Sequence, residues 1–230
     1  MPHINLREVD VDGAIQEAAA EVAGDTRLAF LRKAGVAGGA AVSGGAVLGL
    51  LAPSAMAAGG YNRPPASFGK GDIGILNYAL TLEYLERAFY NEATSGGKIT
   101  SPQLKAFLEV TTRDERAHVA FLKGALGSKA AKQPKFDFKG IPKDEAKFAA
   151  TAQVLENTGV HAYLGQAGNI KDPAYLLAAA TIVTIEARHA GAIGLINGKS
   201  GGGIAPSGSF DKPLGASAIL KAVTATGFIV

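Results

Sequence analysis

Apolar residues recur every three or four positions in four long stretches of the chain, which is the spacing of one face of an α-helix. The pattern predicts helices over about 72–94, 101–126, 142–168 and 172–197, and a shorter one over 216–225. Asp72 is expected as the N-cap of the first helix, and Ser101, directly before Pro102, as the N-cap of the second. The chain is therefore predicted to be all-α.

The lengths of the connections predict how these helices are arranged. Helices one and two are joined by about seven residues and helices three and four by about four, lengths that are typical of antiparallel hairpins. About 17 residues, 127–143, separate helices two and three and can span roughly 55 Å, whereas a 24-residue helix is only about 36 Å long. We therefore expect two hairpins joined by a long crossover, forming a four-helix bundle over 72–197. Residues 198–230 are expected to form a loop and a short helix packed on the bundle.

The N-terminal part of the chain has the pattern of an export signal. Arg32 and Lys33 precede an uncharged stretch rich in Gly and Ala, and residues 55–57 form an Ala-x-Ala sequence. Residues 26–32 resemble a twin-arginine motif, although Leu28 stands in place of the second arginine. We predict that residues 1–57 are removed near Ala57, that 58–71 form a linker, and that the mature protein is periplasmic, in the cell envelope or extracellular. The alternative is an uncleaved signal that anchors the chain in the membrane.

Composition excludes several classes of site. The chain has no Cys, which rules out disulfides, thiolate metal sites and iron–sulfur clusters. Met occurs only at positions 1 and 56, which argues against a Met-ligated haem. The net charge is +3 and no basic run is present, so we expect no nucleic-acid partner.

Four glutamates lie on otherwise apolar helix faces, each near the middle of a different predicted helix: Glu83, Glu115, Glu156 and Glu186. Two of them begin a Glu-x-x-His sequence, which ends at His118 and at His189. Positions i and i+3 share one helix face, so each pair presents a carboxylate and an imidazole to the same point. The glutamates are 32, 41 and 30 residues apart along the chain, and each interval is one helix and one connection. All six side chains can therefore lie at one level of the bundle.

Such a cluster requires positive charge. An isolated buried carboxylate costs several kcal/mol or takes up a proton, and four of them would repel one another. Two divalent cations would cancel the charge, and carboxylate with imidazole suits iron, manganese or zinc. The competing interpretation places both Glu/His pairs on solvated helix faces.

Four stretches carry a family resemblance. Residues 76–86, residues 155–160 and the two Glu-x-x-His sequences resemble the exported bacterial ferritin-like domain family, to which plant desiccation-related proteins are similar. The resemblance covers about 71–197 and matches all six metal-ligand positions of the ferritin-like superfamily. It implies a ferritin-like four-helix bundle with a dinuclear iron centre, and it is compatible with a homo-oligomer.

Four neighbours of these residues are also of interest. Tyr90 lies two turns after Glu83, where it could hydrogen-bond a ligand, give up an electron as a catalytic residue, or simply pack in the core. Tyr163 stands in the same relation to Glu156. Glu86 is either a further carboxyl beside the site or a partner for Arg87, and His161 is expected not to be a ligand.

Several functions fit this pattern. The leading hypothesis is a ferroxidase-type oxidoreductase that holds two iron ions and reacts with dioxygen or peroxide in stress protection. A dimanganese catalase would use similar ligands. A desiccation or envelope protein without catalytic activity would use the metal to hold the bundle closed.

Overall fold

A computed structural model describes residues 61–198, 204–205 and 208–230. The predicted export signal, 1–57, lies outside the described residues. Within the described part of the chain, five α-helices form: α1 Gly71–Gly96, α2 Pro102–Leu126, α3 Glu145–Ala167, α4 Pro173–Ile196 and α5 Ala216–Thr226. The all-α prediction is confirmed, and the helix ends lie within about three residues of those predicted.

The starts of the helices show which capping predictions were correct. Ser101 caps α2 as expected, because its Oγ accepts a hydrogen bond from the Leu104 N–H. The prediction for Asp72 was wrong: this residue lies in the first turn of α1, and its carboxylate accepts from the N–H groups of Lys171 and Asp172. Asp72 therefore ties the start of α1 to the start of α4. Helix α3 also begins later than predicted, because 141–143 form a separate 3₁₀ turn.

Contacts between side chains define the direction of each helix. Thr94 and Asn91 of α1 meet Thr112 and Arg116 of α2, so these helices are antiparallel. The other adjacent pairs are antiparallel by the same test: α3 with α4 through Asn197 to Ala149 and His189 to Glu156, α1 with α3, and α2 with α4. Because α2 and α3 both run antiparallel to α1, they are parallel to each other. The predicted order of hairpin, long crossover and hairpin is confirmed.

The crossover between α2 and α3 is held by the bundle and by the C-terminus. The Asn77 side chain of α1 donates to the carbonyl of Lys129 and accepts from the N–H of Ala131. Further along, Phe136 and Ile229 form an isolated antiparallel bridge, so this part of the crossover is extended. Helix α5 packs on α3 and delivers the C-terminal tail to that bridge. The crossover therefore closes one side of the bundle.

Two clusters of buried apolar residues pack inside the bundle. One contains Phe89, Phe107 and Phe148, and the other contains Leu80 and Leu122. On α2 and α4, the residues between these clusters are the Glu-x-x-His sequences. Along α2 and α4 the polar cluster therefore lies in the middle of the helix, with buried apolar residues on both sides.

Helix α4 is long and apolar enough to cross a membrane by composition alone, with a mean hydropathy of 1.3 over its most apolar window. It nevertheless carries Glu186 and His189, which are buried and in contact with side chains of α2 and α3. We therefore describe α4 as the fourth helix of the bundle.

Candidate metal centre

All six side chains that the sequence singled out lie together in the centre of the bundle. The four glutamates are fully buried, and His118 and His189 are 8% and 4% exposed. Helix α1 contributes Glu83 and α3 contributes Glu156, while each Glu-x-x-His comes from α2 or α4. The helical register brings each Glu and its His to one face, and the antiparallel packing brings the four faces together.

The donor atoms of these residues form two overlapping groups. One group consists of Glu83, Glu115, His118 and Glu186, and the other of Glu115, Glu156, Glu186 and His189. Within each group the four donor atoms lie within 4.8 Å of one another. Glu115 and Glu186 belong to both groups. The arrangement therefore provides two adjacent positions for a cation, with two carboxylates shared between them.

Both histidines direct Nδ1 into this centre. Nδ1 of His118 lies 3.2 Å from Glu83 Oε2 and 3.3 Å from Glu115 Oε2. Nδ1 of His189 lies 3.2 Å from Glu156 Oε2 and 3.4 Å from Glu115 Oε1. His118 Nδ1 also lies 3.2 Å from Glu186 Oε1 of the other hairpin. Each imidazole is therefore close to a carboxylate from its own hairpin and to one across the centre, as a terminal ligand beside a shared carboxylate would be.

Buried atoms without hydrogen-bond partners show that the residues fit a metal. These atoms are Oε1 of Glu115, Oε2 of Glu156, both carboxylate oxygens of Glu186 and Nδ1 of His189. Some of these atoms lie 3.2–3.4 Å from one another, but none makes a hydrogen bond of normal geometry. Buried polar atoms almost always make one, so five such atoms in one place require an explanation. All five belong to the donor groups described above. Cations bound between them would satisfy every one.

Burial and crowding of the acidic side chains shift the pKa values of the glutamates in the cluster. Burial, and then the charge of Glu83, raises the pKa of Glu115 to about 8. Burial and the charges of the other glutamates raise the pKa of Glu186 well above its ordinary value. Burial alone would also raise the pKa of Glu83, but the hydrogen bond and charge of His118 outweigh it and hold that pKa below its usual range. Protons and charges are therefore shared unevenly over the cluster.

The imidazoles respond in the opposite way to burial. Burial lowers the pKa of each histidine, but the carboxylates that lie against each ring outweigh this effect. The pKa of His189 rises to about 11, and that of His118 also rises above its ordinary value. Without metal, the two histidines therefore act as cations inside the acidic cluster.

Two tyrosines hydrogen-bond Glu83 and Glu156, the two glutamates that each belong to only one donor group. Tyr90 of α1 donates its hydroxyl hydrogen bond to Glu156 Oε1 of α3, and Tyr163 of α3 donates to Glu83 Oε1 of α1. Each tyrosine therefore hydrogen-bonds the glutamate of the opposite helix. The hydrogen-bonding alternative for Tyr90 and Tyr163 agrees with this geometry, while a role for Tyr90 in electron transfer stays a prediction.

Glu86 is a fifth buried glutamate beside the centre. Its Oε2 has no hydrogen-bond partner, and burial followed by the charge of Glu186 raises its pKa well above the ordinary value. The alternative of a pair with Arg87 was wrong, because the Arg87 guanidinium instead hydrogen-bonds Gln133. Room for Glu86 comes from Gly159 of α3: a Cβ there would lie 3.4 Å from Glu86 Oε1 and 2.6 Å from Glu186 Oε2.

Sequence reasoning missed Asp114. Its Oδ2 lies 3.2 Å from Nε2 of His189, on the side of the ring that faces away from the centre. Nothing in the spacing of Asp114 indicated this contact, because the two residues are 75 positions apart and on different helices. His161 lies outside both donor groups, although its Nε2 is buried without a hydrogen-bond partner.

Comparison with known proteins agrees with this geometry. Residues 71–199 match the family model described as a ferritin-like domain, which covers α1 to α4 and all six donor residues. No curated protein is significantly similar to this chain in sequence.

Proposed function

Since the chain belongs to the ferritin-like domain family, we propose that it binds two iron ions in the centre of its bundle and uses them in iron oxidation with dioxygen or peroxide. The observation that carries the proposal is the pair of overlapping donor groups that share Glu115 and Glu186. In such bundles a Glu from each of two helices and a Glu-x-x-His from each of the other two hold a dinuclear centre.

Each residue of the centre has a proposed role in binding the two ions. Glu83 and His118 would hold one ion, and Glu156 and His189 the other, while Glu115 and Glu186 would contribute to both positions. Four carboxylates balance the charge of two divalent cations. When bound, the ions supply one-electron redox chemistry and open coordination positions for a small oxidant. Tyr90 and Tyr163 orient the carboxylates of Glu156 and Glu83, and the buried apolar residues around the centre exclude water.

We further propose that this chemistry takes place outside the cytoplasm, in protection against oxidative or drying stress. The support for export is the sequence pattern of residues 1–57.

Metal analysis followed by an activity assay tests the proposal. Protein purified from its native host, and protein reconstituted with Fe(II) under anaerobic conditions, should each contain two ions per chain. Addition of dioxygen or peroxide should then oxidise the iron. Retention of manganese together with release of dioxygen from peroxide would instead support a dimanganese catalase. Bound metal without either activity would support the structural alternative.

A matched pair of variants links the result to the site. Glu115→Ala removes a carboxylate that serves both positions and should abolish binding of one or both ions. Glu109→Ala removes an exposed carboxylate from the same helix and should leave two ions bound. Absence of bound metal in the unmodified protein after reconstitution would refute the proposal.

A further inference from the structure

The donor residues obey an approximate twofold symmetry. A shift of 73 positions converts Glu83 and Tyr90 of α1 into Glu156 and Tyr163 of α3, and a shift of 71 positions converts the Glu-x-x-His of α2 into that of α4. The contacts follow the same rule, because the bond from Tyr90 to Glu156 is matched by the bond from Tyr163 to Glu83. The two metal positions would therefore be equivalent if the surrounding residues obeyed the same symmetry.

Asp114 breaks the symmetry beside one of the two histidines. It directly precedes Glu115, and the residue that directly precedes Glu186 is Ile185, which has no side-chain acceptor. Asp114 Oδ2 lies 3.2 Å from Nε2 of His189, and its other oxygen accepts from Nε of Arg113 at 2.7 Å. The Asp114 carboxylate thus lies between the exposed Arg113 guanidinium and the buried imidazole. His118 receives no such carboxylate from position 185.

The two histidines also differ in burial, and His189, the one that contacts Asp114, is the more buried. The His189 side chain is 5% exposed, whereas that of His118 is 10% exposed. The rings of Phe107 and His189 pack edge-to-face, with centroids 6.4 Å apart. The second break in the symmetry, Glu86 on α1 opposite Gly159 on α3, places a carboxyl beside Glu186. Because both metal positions share Glu186, that difference does not favour either of them.

A carboxylate on the outer nitrogen of a metal-binding histidine fixes its tautomer and ring orientation and makes the inner nitrogen a stronger ligand. Loss of such a partner typically lowers metal affinity by about 10- to 100-fold. We infer that the two metal positions are unequal: the position formed by Glu156 and His189 binds more tightly and fills first, and Asp114 is the positioning residue that makes it so. The position formed by Glu83 and His118 is the exchangeable one. This inference rests on the proposed dinuclear centre.

Titration with Mn(II) alone, followed by calorimetry and by electron paramagnetic resonance, tests the inference without reference to activity. The unmodified protein should bind two ions in two separate steps, with the signal of an isolated ion after the first and of a coupled pair after the second. His189→Ala should abolish the tight step, and His118→Ala the weak one. Asp114→Ala should weaken only the tight step, by about 10- to 100-fold.

Further variants separate positioning from a general loss of structure. Asp114→Glu should restore part of the tight step, and Ile185→Asp, which supplies the missing carboxylate, should strengthen the weak one. Glu109→Ala, an exposed acid on the same helix, should change neither step. Two equal steps in the unmodified protein, or a tight step that survives His189→Ala, would overturn the inference while leaving the dinuclear centre intact. Failure of the unmodified protein to bind Mn(II) or Fe(II) would instead refute the proposed function itself.

Discussion

The stability of the metal-free protein should fall as pH rises from about 5 to 8. Without metal, buried carboxyls of the centre hold protons that the unfolded chain releases. The pKa of Glu115 rises from an ordinary 4.5 to about 8 on folding, and the pKa values of Glu86 and Glu186 rise as well. Between the unfolded and folded pKa values of each carboxyl, the folded state binds more protons than the unfolded state, so each increase in pH favours unfolding.

The size of the effect follows from Glu115. One pKa unit corresponds to about 1.4 kcal/mol, so titration of this carboxyl between pH 5 and 8 lowers the free energy of unfolding by about 4 kcal/mol. His189 acts in the same direction above its unfolded pKa, because folding raises its pKa to about 11. Glu83 and Asp114, whose pKa values are lowered, act with the opposite sign but only in more acidic solution. Total stabilities are about 5–15 kcal/mol, so the loss should be easy to measure.

Urea unfolding followed by far-UV circular dichroism is the appropriate measurement, because the chain has no Trp for fluorescence. Metal-free protein should lose stability across this pH range, whereas metal-loaded protein should not, because the ions replace the protons. Glu86→Gln removes one buried carboxyl at nearly constant shape and should reduce the slope, while Glu109→Gln on the exposed face of α2 should leave it unchanged. If the stability of the metal-free protein is constant or increases with pH, these carboxyls are not clustered in the core.

Three more predictions follow from single contacts or sequence patterns. Tyr90→Phe should lower the stability of the metal-free protein by about 2 kcal/mol, because a buried carboxylate loses its hydrogen-bond donor. Tyr163→Phe should lower it by a similar amount. A large difference between the two variants in urea unfolding would contradict the equivalence of the two hydrogen bonds. Gly159→Ala places a Cβ 2.6 Å from Glu186 Oε2 and should displace that carboxylate, so that metal analysis finds fewer than two ions per chain. The control is Gly124→Ala, where a Cβ meets nothing within 4 Å, and this variant should retain both metal ions. Intact-mass measurement on protein from its host should find a chain that begins near Ala58, and a full-length cytosolic chain would contradict the export prediction.

The sequence alone determined the helices and the identity of the metal-binding candidates. The apolar spacing defined four long helices, because a helix packed on a core must present one apolar face. A glutamate in the middle of such a face, at Glu83, Glu115, Glu156 or Glu186, is costly unless positive charge meets it, so these four residues stood out without any coordinates. The i, i+3 spacing then added His118 and His189, since local helix geometry places them beside their glutamates.

Only the tertiary structure decided how these residues relate to one another. The shared roles of Glu115 and Glu186, the tyrosine hydrogen bonds across the bundle and the space that Gly159 leaves for Glu86 all depend on how four helices are rotated and aligned. Periodicity defines which face of a helix is buried, but it does not define which residue of another helix that face meets. For the same reason the contact between Asp114 and His189 had no signal in the sequence: the two residues belong to different helices, and only the antiparallel packing of α2 on α4 brings them within 3.2 Å.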